Sequence, residues 1–295
     1  MRASPSLDDS VRDAGAALAA RHVPRPDVLF LLATGSAAWV ELLADASEVS
    51  LALVDVPAPW HSERLIIGGL GSLSVWALDD VGGEPCAEGD APPWSSAFPV
   101  WLARDAGARL CVHTSAGGTT YDEHGRAPEA RAFAVLRDHI DLSGRSPLLG
   151  LGESRLGPLF PDQSRVLHSG LRAAALARAH ELGLDASECV AACLPGPALE
   201  TPAERRMLAR LGADVSVQSL APALVACAHA GMACLALVAV TDRGGPADVA
   251  RLLEHALAAA PLLDRWLLAL APELAKVLRE LRAAEETHGV AGGTS

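Results

Sequence analysis

Short, nearly continuous apolar runs alternate along this chain with stretches whose apolar positions recur every three to four residues. That alternation predicts an α/β protein built on a sheet. Asp27 to Thr34 reads as a buried strand that ends in Gly35-Ser36, followed by a helical stretch from Ala37 to Ala44. Arg64 to Leu78 holds two apolar runs separated by Gly68-Gly69 and Gly71, a hairpin or a bulged strand. Asp79 to Pro93 is rich in Asp, Gly and Pro and predicts a loop. Arg109 to Thr114 reads as a strand running into a small-residue turn, Ser115-Ala116-Gly117-Gly118, and Ala130 to Leu136 as a run leading into Arg137-Asp138-His139-Ile140.

The second half is punctuated more sharply. Gln163 to Leu182 predicts a helix closed by Gly183. Glu188 to Leu194 is a buried strand. Thr201-Pro202-Ala203-Glu204 is a capping box with proline at the first helical position, opening a helix to Leu211 that stops at Gly212. Ser219 precedes a helix over Leu220 to Ala230, and Met232 to Thr241 is a strand ending at Thr241-Asp242. Two more helices are expected, near Pro246 to Ala260 and Pro261 to Ala284. The pattern divides the chain into an N-terminal helical segment (1–26), one domain (27–284) and a polar, Gly-rich tail (285–295) that frays. Turns with glycine or polar residues follow several strands, and ligands of α/β sheets bind beyond the carboxyl ends of strands.

Composition narrows the partners. The 295 residues carry a formal net charge of −12, and no basic run interleaved with aromatics occurs. Such a chain repels phosphate backbones and anionic surfaces, so neither nucleic acid nor membrane is expected as a partner. A small anion remains possible at a helix start. The N-terminus is polar and acidic, unlike a signal peptide. The most apolar stretch, Ala221 to Thr241, is interrupted by His229 and Gly231 and reads as core, not as a membrane span. The six cysteines (86, 111, 189, 193, 227 and 234) lack zinc spacing, and several lie in apolar runs. Buried reduced thiols in a cytoplasmic protein are expected.

The turns themselves carry a family likeness. Gly196-Pro197-Ala198-Leu199-Glu200-Thr201, the helix after it and Leu211-Gly212-Ala213-Asp214 recur in that order in the trimeric purine nucleoside phosphorylases and the related methylthioadenosine phosphorylases. Supporting segments are Thr34-Gly35-Ser36, His61-Ser62-Glu63-Arg64, Ala97 to Val100, Thr114 to Gly118, Arg137 to Leu142 and Phe160-Pro161. The chain resembles these enzymes from about Asp27 to Leu268. The resemblance implies a three-layer α/β fold with a central mixed, partly barrel-like sheet flanked by helices. It also implies a homotrimer and purine salvage. The implied reaction is a pentosyl transfer: phosphate cleaves a purine (deoxy)ribonucleoside to free base and (deoxy)ribose 1-phosphate, with phosphate as co-substrate and neither cofactor nor metal.

Site residues carry over position by position. Ser36, Ala116 and Ser219 match phosphate-binding positions; as ordinary structure, Ser36 and Ser219 would be helix N-caps. His61 matches a catalytic His near the phosphate and the entrance, and Arg64 follows it. Glu200 matches the carboxylate that binds N1–H of a 6-oxopurine, although a carboxylate near a helix start is also favourable by itself. Leu199 stands where an aromatic packs on the base, Gln218 where a Met lies under the ribose, and His255 where a side chain contacts the 5′-hydroxyl. Asp242 replaces an Asn at purine N7 and resembles the adenosine-type branch, in which a protonated carboxyl donates to N7. Glu200 with Asp242 is therefore a mixed specificity pattern, and two carboxylates facing one base suit general acid catalysis.

The departures cluster at the phosphate. Anchored on Glu88-Gly89, the family's Arg and His fall on Gly83 and Pro85, with Asp79, Asp80 and Glu84 nearby, and the Ser115–Gly118 turn is one residue shorter than its counterpart. Two lost charge-assisted bonds, at about 1.5–3 kcal/mol each, weaken phosphate binding by roughly two to four orders of magnitude. Three readings follow: an active phosphorylase with a remodelled phosphate site, a catalytically degenerate nucleoside-binding or structural member, and a hydrolase in which water replaces phosphate.

Overall fold

The structure is a computed structural model that describes residues 6–32, 36–80, 91–121, 132–244 and 249–291. Nine strands form one mixed sheet: β1 (Val28–Leu32), β2 (Ala44–Ser50), β3 (Arg64–Leu70), β4 (Leu73–Asp79), β5 (Leu110–Thr119), β6 (Phe133–Asp141), β7 (Ala186–Cys193), β8 (Val215–Val217) and β9 (Ala233–Asp242). Their order is β2-β3-β4-β1-β5-β8-β7-β6-β9, and β5 also pairs with β9. That last pairing closes β5, β8, β7, β6 and β9 into a five-stranded barrel, leaving β1 to β4 as an open wing. The expected partly barrel-like sheet is what forms.

Helices cover both faces. On one side α1 (Leu7–Ala20), α2 (Phe98–Ala106) and α5 (Leu220–Ala230) pack Val11, Leu18, Trp101 and Leu224 against Leu29 and Leu31 of β1. On the other, α3 (Ser169–Glu181), α6 (Val249–Ala269) and α7 (Ala271–Ala291) pack Leu171, Trp266 and Leu274 against Val28 and Phe30. Alternate residues of one strand thus enter opposite cores, which is why these central strands read as unbroken apolar runs. The small helix α4 (Pro202–Arg210) rests on its own cluster of Ala192, Leu208 and Ala213.

Several expected boundaries move, each for a reason visible in the packing. Arg64 to Leu78 is a hairpin that turns at Gly71, whose φ of 61° suits glycine, while Gly68 and Gly69 lie within β3. The stretch Ala37 to Ala44 is a 3-10 helix over Ser36–Leu42, after which the exposed β2 pairs with β3. Ser115 to Gly118 is not a turn. It continues β5, because Ser115, Ala116 and Gly117 pair with Val238, Ala239 and Val240 of β9. A Cβ on Gly117 would come within 2.6 Å of the Ser216 carbonyl and 2.8 Å of Val238, so glycine is what permits the barrel to close here.

The helix expected from Gln163 begins only at Ser169. Residues before it are held extended: Cys234 donates to the Val166 carbonyl and His168 donates to the Cys234 carbonyl. Pro261 does not separate a pair of helices but lies inside α6, and the break comes at Leu270. Ala256, Ala260, Leu263 and Leu267 form a buried stripe across the proline, and that packing outweighs the backbone bond it removes. The expected fraying tail is helical to Ala291, with Glu285 receiving bonds from Arg104 and Arg109.

Cys111, Cys189, Cys193, Cys227 and Cys234 are buried and unbridged; Cys86 lies outside the described residues. Among the described residues no helix is long and apolar enough to cross a membrane.

Candidate active site

A cleft of about 290 Å³ opens where the barrel strands end. β5 contributes Ser115 to Gly118, the turn after β7 contributes Leu199 and Glu200, and β8 with the start of α5 contributes Ser216 to Ser219. Thr241 and Asp242 of β9 and Leu252, Leu253 and Ala256 of α6 complete the wall. Six residues singled out from sequence therefore meet in one place: Ala116, Leu199, Glu200, Gln218, Ser219 and Asp242.

The turn that carries Glu200 is fixed from both ends. A Cβ on Gly196 would meet Gln218 Oε1 at 2.5 Å, so glycine leaves the Gln218 side chain its place beside the turn. Gln218 Nε2 in turn donates to the Ala198 carbonyl at 3.0 Å. On the far side the expected capping box is complete: Thr201 N–H donates to Glu204 Oε2 at 2.7 Å, and Glu204 N–H to Thr201 Oγ1 at 3.3 Å. Ser219 occupies the N-cap position of α5 but makes no capping bond, so its hydroxyl is not spent on the helix.

Asp242 is held more tightly than the sequence implies. Its Oδ1 accepts the Gly244 N–H at 2.9 Å, and its Oδ2 accepts from Arg205 Nη2. Both oxygens of the Asp242 carboxylate thus accept from the protein. Glu200 and Asp242, the expected pair of carboxylates, both line this cleft. Arg205 stands beside both, with Nη2 3.6 Å from Glu200 Oε2. Its Nη1 also donates to the Thr119 carbonyl, and its guanidinium lies 5.3 Å from the Tyr121 ring centroid.

Sequence reasoning passed over Arg205. The available signal was its place on α4, where Arg205 and Leu208, three residues apart, are the two buried positions. A charged residue on the inward stripe of a short helix needs a partner.

Other expected residues lie elsewhere. His61 is exposed on a short 3-10 segment, Trp60–Ser62, next to β3 and three strands away from β5, and does not line the cleft. Arg64 turns to solvent and pairs with Glu48 at 2.8 Å. His255 on α6 sits beside the cleft in a shallow hollow shared with Thr241, Asp242 and Arg251. Its Nδ1 is 2.6 Å from the Thr241 carbonyl, so Nδ1–H donates and a neutral ring offers Nε2 as acceptor. Ser36 opens the 3-10 helix after β1, with its side chain outside what is described, and Gly83, Glu84 and Pro85 lie outside the described residues.

One carboxylate expected near the phosphate is not free. Asp80 faces inward, with Oδ2 2.9 Å from Nε2 of the fully buried His113. Burial alone would lower the His113 pKa, but the charge of Asp80 and its hydrogen bond outweigh this and raise it.

With this geometry in place, comparison with known proteins is informative. Residues 30–271 match the Phosphorylase superfamily. The chain is 28% identical over 244 residues to purine nucleoside phosphorylase 1 of Bacillus subtilis, covering 80% of this chain and 86% of that one. It is 28% identical over 258 residues to purine nucleoside phosphorylase of Bos taurus, covering 82% and 87%. The structure of a Schistosoma purine nucleoside phosphorylase in complex with hypoxanthine superposes with a TM-score of 0.78 at 22% identity, over 90% of this chain and 98% of that one. By sequence and by fold, then, this chain belongs to the phosphorylase superfamily, as a divergent member of its purine nucleoside phosphorylase family and of the pentosyltransferase type.

Proposed function

We propose that the protein cleaves the N-glycosidic bond of a purine (deoxy)ribonucleoside with phosphate, giving free base and (deoxy)ribose 1-phosphate. The observation that carries this reading is the convergence of Glu200 and Ser219 on one cleft. Glu200 is an acceptor suited to a base N–H, and Ser219 is a free hydroxyl at the positive end of α5, suited to an anion.

In this reading the base lies between Leu199 and the β5 glycines, with Glu200 on its N1 edge and Asp242 on the side of N7 and the 6-substituent. Gln218 lies under the ribose, and His255 Nε2 accepts from the 5′-hydroxyl. Ser36, Ala116 and Ser219 hold phosphate. The bond breaks through a cationic sugar that phosphate stabilises and then attacks, while the departing purine accumulates negative charge. Groups that meet these charges only as they develop lower the barrier. No metal or organic cofactor enters the reading. It assigns a homotrimer of purine salvage in the cytoplasm.

One observation favours a second reading. Among the described residues no Arg or Lys lines the cleft, and Arg205, close behind Glu200 and Asp242, is bonded to Asp242. Arg64 and His61 do not reach the cleft. A nucleoside-binding member without effective phosphate capture is the alternative.

The test is purine release from inosine, guanosine, adenosine and methylthioadenosine, with and without phosphate, followed by product analysis. Phosphate-dependent release with ribose 1-phosphate as product is expected. Base release that ignores phosphate indicates hydrolysis. No release at high enzyme concentration leaves the binding reading.

A further inference from the structure

Two charged side chains that line this cleft, Glu200 and Asp242, and Arg205 beside them are almost sealed from water. Side-chain exposure is 4% for Arg205, 6% for Glu200 and 12% for Asp242. Two buried carboxylates side by side repel each other and lose hydration, and a guanidinium between them relieves both penalties. Room for that guanidinium comes from Gly118, where a Cβ would lie 3.3 Å from Arg205 Nη2.

The two carboxylates are not used alike. Asp242 is bonded through both oxygens, to Arg205 and to the Gly244 N–H. Glu200 stands 3.6 Å from the guanidinium, beyond hydrogen-bonding reach, and lines the cleft with its acceptor capacity unspent on Arg205. Arg205 thus engages one carboxylate and leaves the other for a ligand.

We propose that Arg205 is a specificity-determining positioning residue that bonds the Asp242 carboxylate where it lines the cleft and offsets its charge, so that Glu200 is the bare carboxylate that reads the base and the cleft favours 6-oxopurines over 6-aminopurines. This rests on the purine-nucleoside reading above. A 6-oxopurine offers an N1–H donor to Glu200 and two acceptors, O6 and N7, on the side of Asp242. A bare carboxylate there would repel both acceptors, whereas one bonded to a guanidinium repels them less. A 6-aminopurine turns an N1 acceptor toward Glu200, and two acceptors then face each other. Arg205 thereby resolves the mixed pattern of Glu200 with Asp242.

The test measures binding of the free bases hypoxanthine and adenine to the full-length protein by calorimetry, which separates recognition from turnover. Wild type is expected to bind hypoxanthine more tightly. Arg205→Met frees Asp242 and should move the ratio of the two Kd values toward adenine by about 10- to 100-fold, the scale of one charge-assisted hydrogen bond. Arg205→Lys should keep most of the preference. Arg205→Met with Asp242→Asn should restore it, since no bare carboxylate remains, an outcome that a merely structural ion pair does not produce. If Arg205→Met fails to fold, Arg205→Lys and Asp242→Asn alone decide, and both should still favour hypoxanthine. A wild type that prefers adenine, a ratio unmoved in folded Arg205→Met, or loss of the preference in Asp242→Asn overturns the proposal. Binding of neither base to wild type overturns the purine reading beneath it.

Discussion

At the scale of single residues, the cleft shows how much a neighbour changes a carboxylate. Glu200 and Asp242 were visible in the sequence as candidates, but the roles assigned to them depended on what stood between them. Asp80 makes the same point. It was expected as a charge repelling phosphate, yet it faces His113 in the core. That pair carries a pH prediction. The His113 pKa is raised in the folded state, because Asp80 outweighs the opposing effect of burial. A histidine of this kind adds stability that is fully present below its unfolded value of about 6.5 and is lost as pH rises through the folded value. Denaturant melts of wild type and Asp80→Asn should therefore show a stability difference that shrinks as pH climbs past about 6.5. A difference that stays constant across this range would refute the assignment.

At the scale of elements, the main surprises arise where tertiary packing overrides local preference. α6 carries Pro261 in its interior and still runs from Val249 to Ala269, because its inward stripe is buried on both sides of the proline, at Ala256, Ala260, Leu263 and Leu267. The same helix holds a liability. Asp264 is 5% exposed, its Oδ1 has no hydrogen-bond partner, and burial raises its pKa. An acid whose folded pKa lies above its unfolded value costs stability wherever it is ionised in the unfolded chain. Asp264→Asn, lying away from the cleft lining, should stabilise the protein at pH 7 by about 1 kcal/mol, less so at acidic pH, with turnover unchanged. Thermal melts at the two pH values check this, and a lower melting temperature at pH 7 would contradict it.

At the scale of the whole molecule, the connection between β6 and α3 presents Leu142, Leu149, Leu159 and Phe160 to solvent, with Phe160 89% exposed. Large apolar side chains gathered on one connection are unusual on a monomer surface and are suited to an interface. The homotrimer reading predicts three chain masses by light scattering. Replacing Leu159 and Phe160 together by Glu should give one chain mass with the fold retained by circular dichroism. A monomeric wild type would refute the reading.

The sequence alone determined the alternation of strands and helices, the capping box that starts α4 and the family to which the turns belong. These depend on local periodicity and on backbone positions that few residue types tolerate, and both are written in short stretches of chain. Through that likeness it also named six of the residues that line the cleft. Tertiary structure decided the rest. β5 runs through Ser115 to Gly118 because β9 and β8 lie against it, and His61 is left three strands from the cleft by the order of the sheet. Arg205 becomes the partner of Glu200 and Asp242 only because α4, β9 and the end of β5 meet. Charge pairing in a low-dielectric interior depends on distances between segments far apart in sequence, and no local pattern encodes those distances.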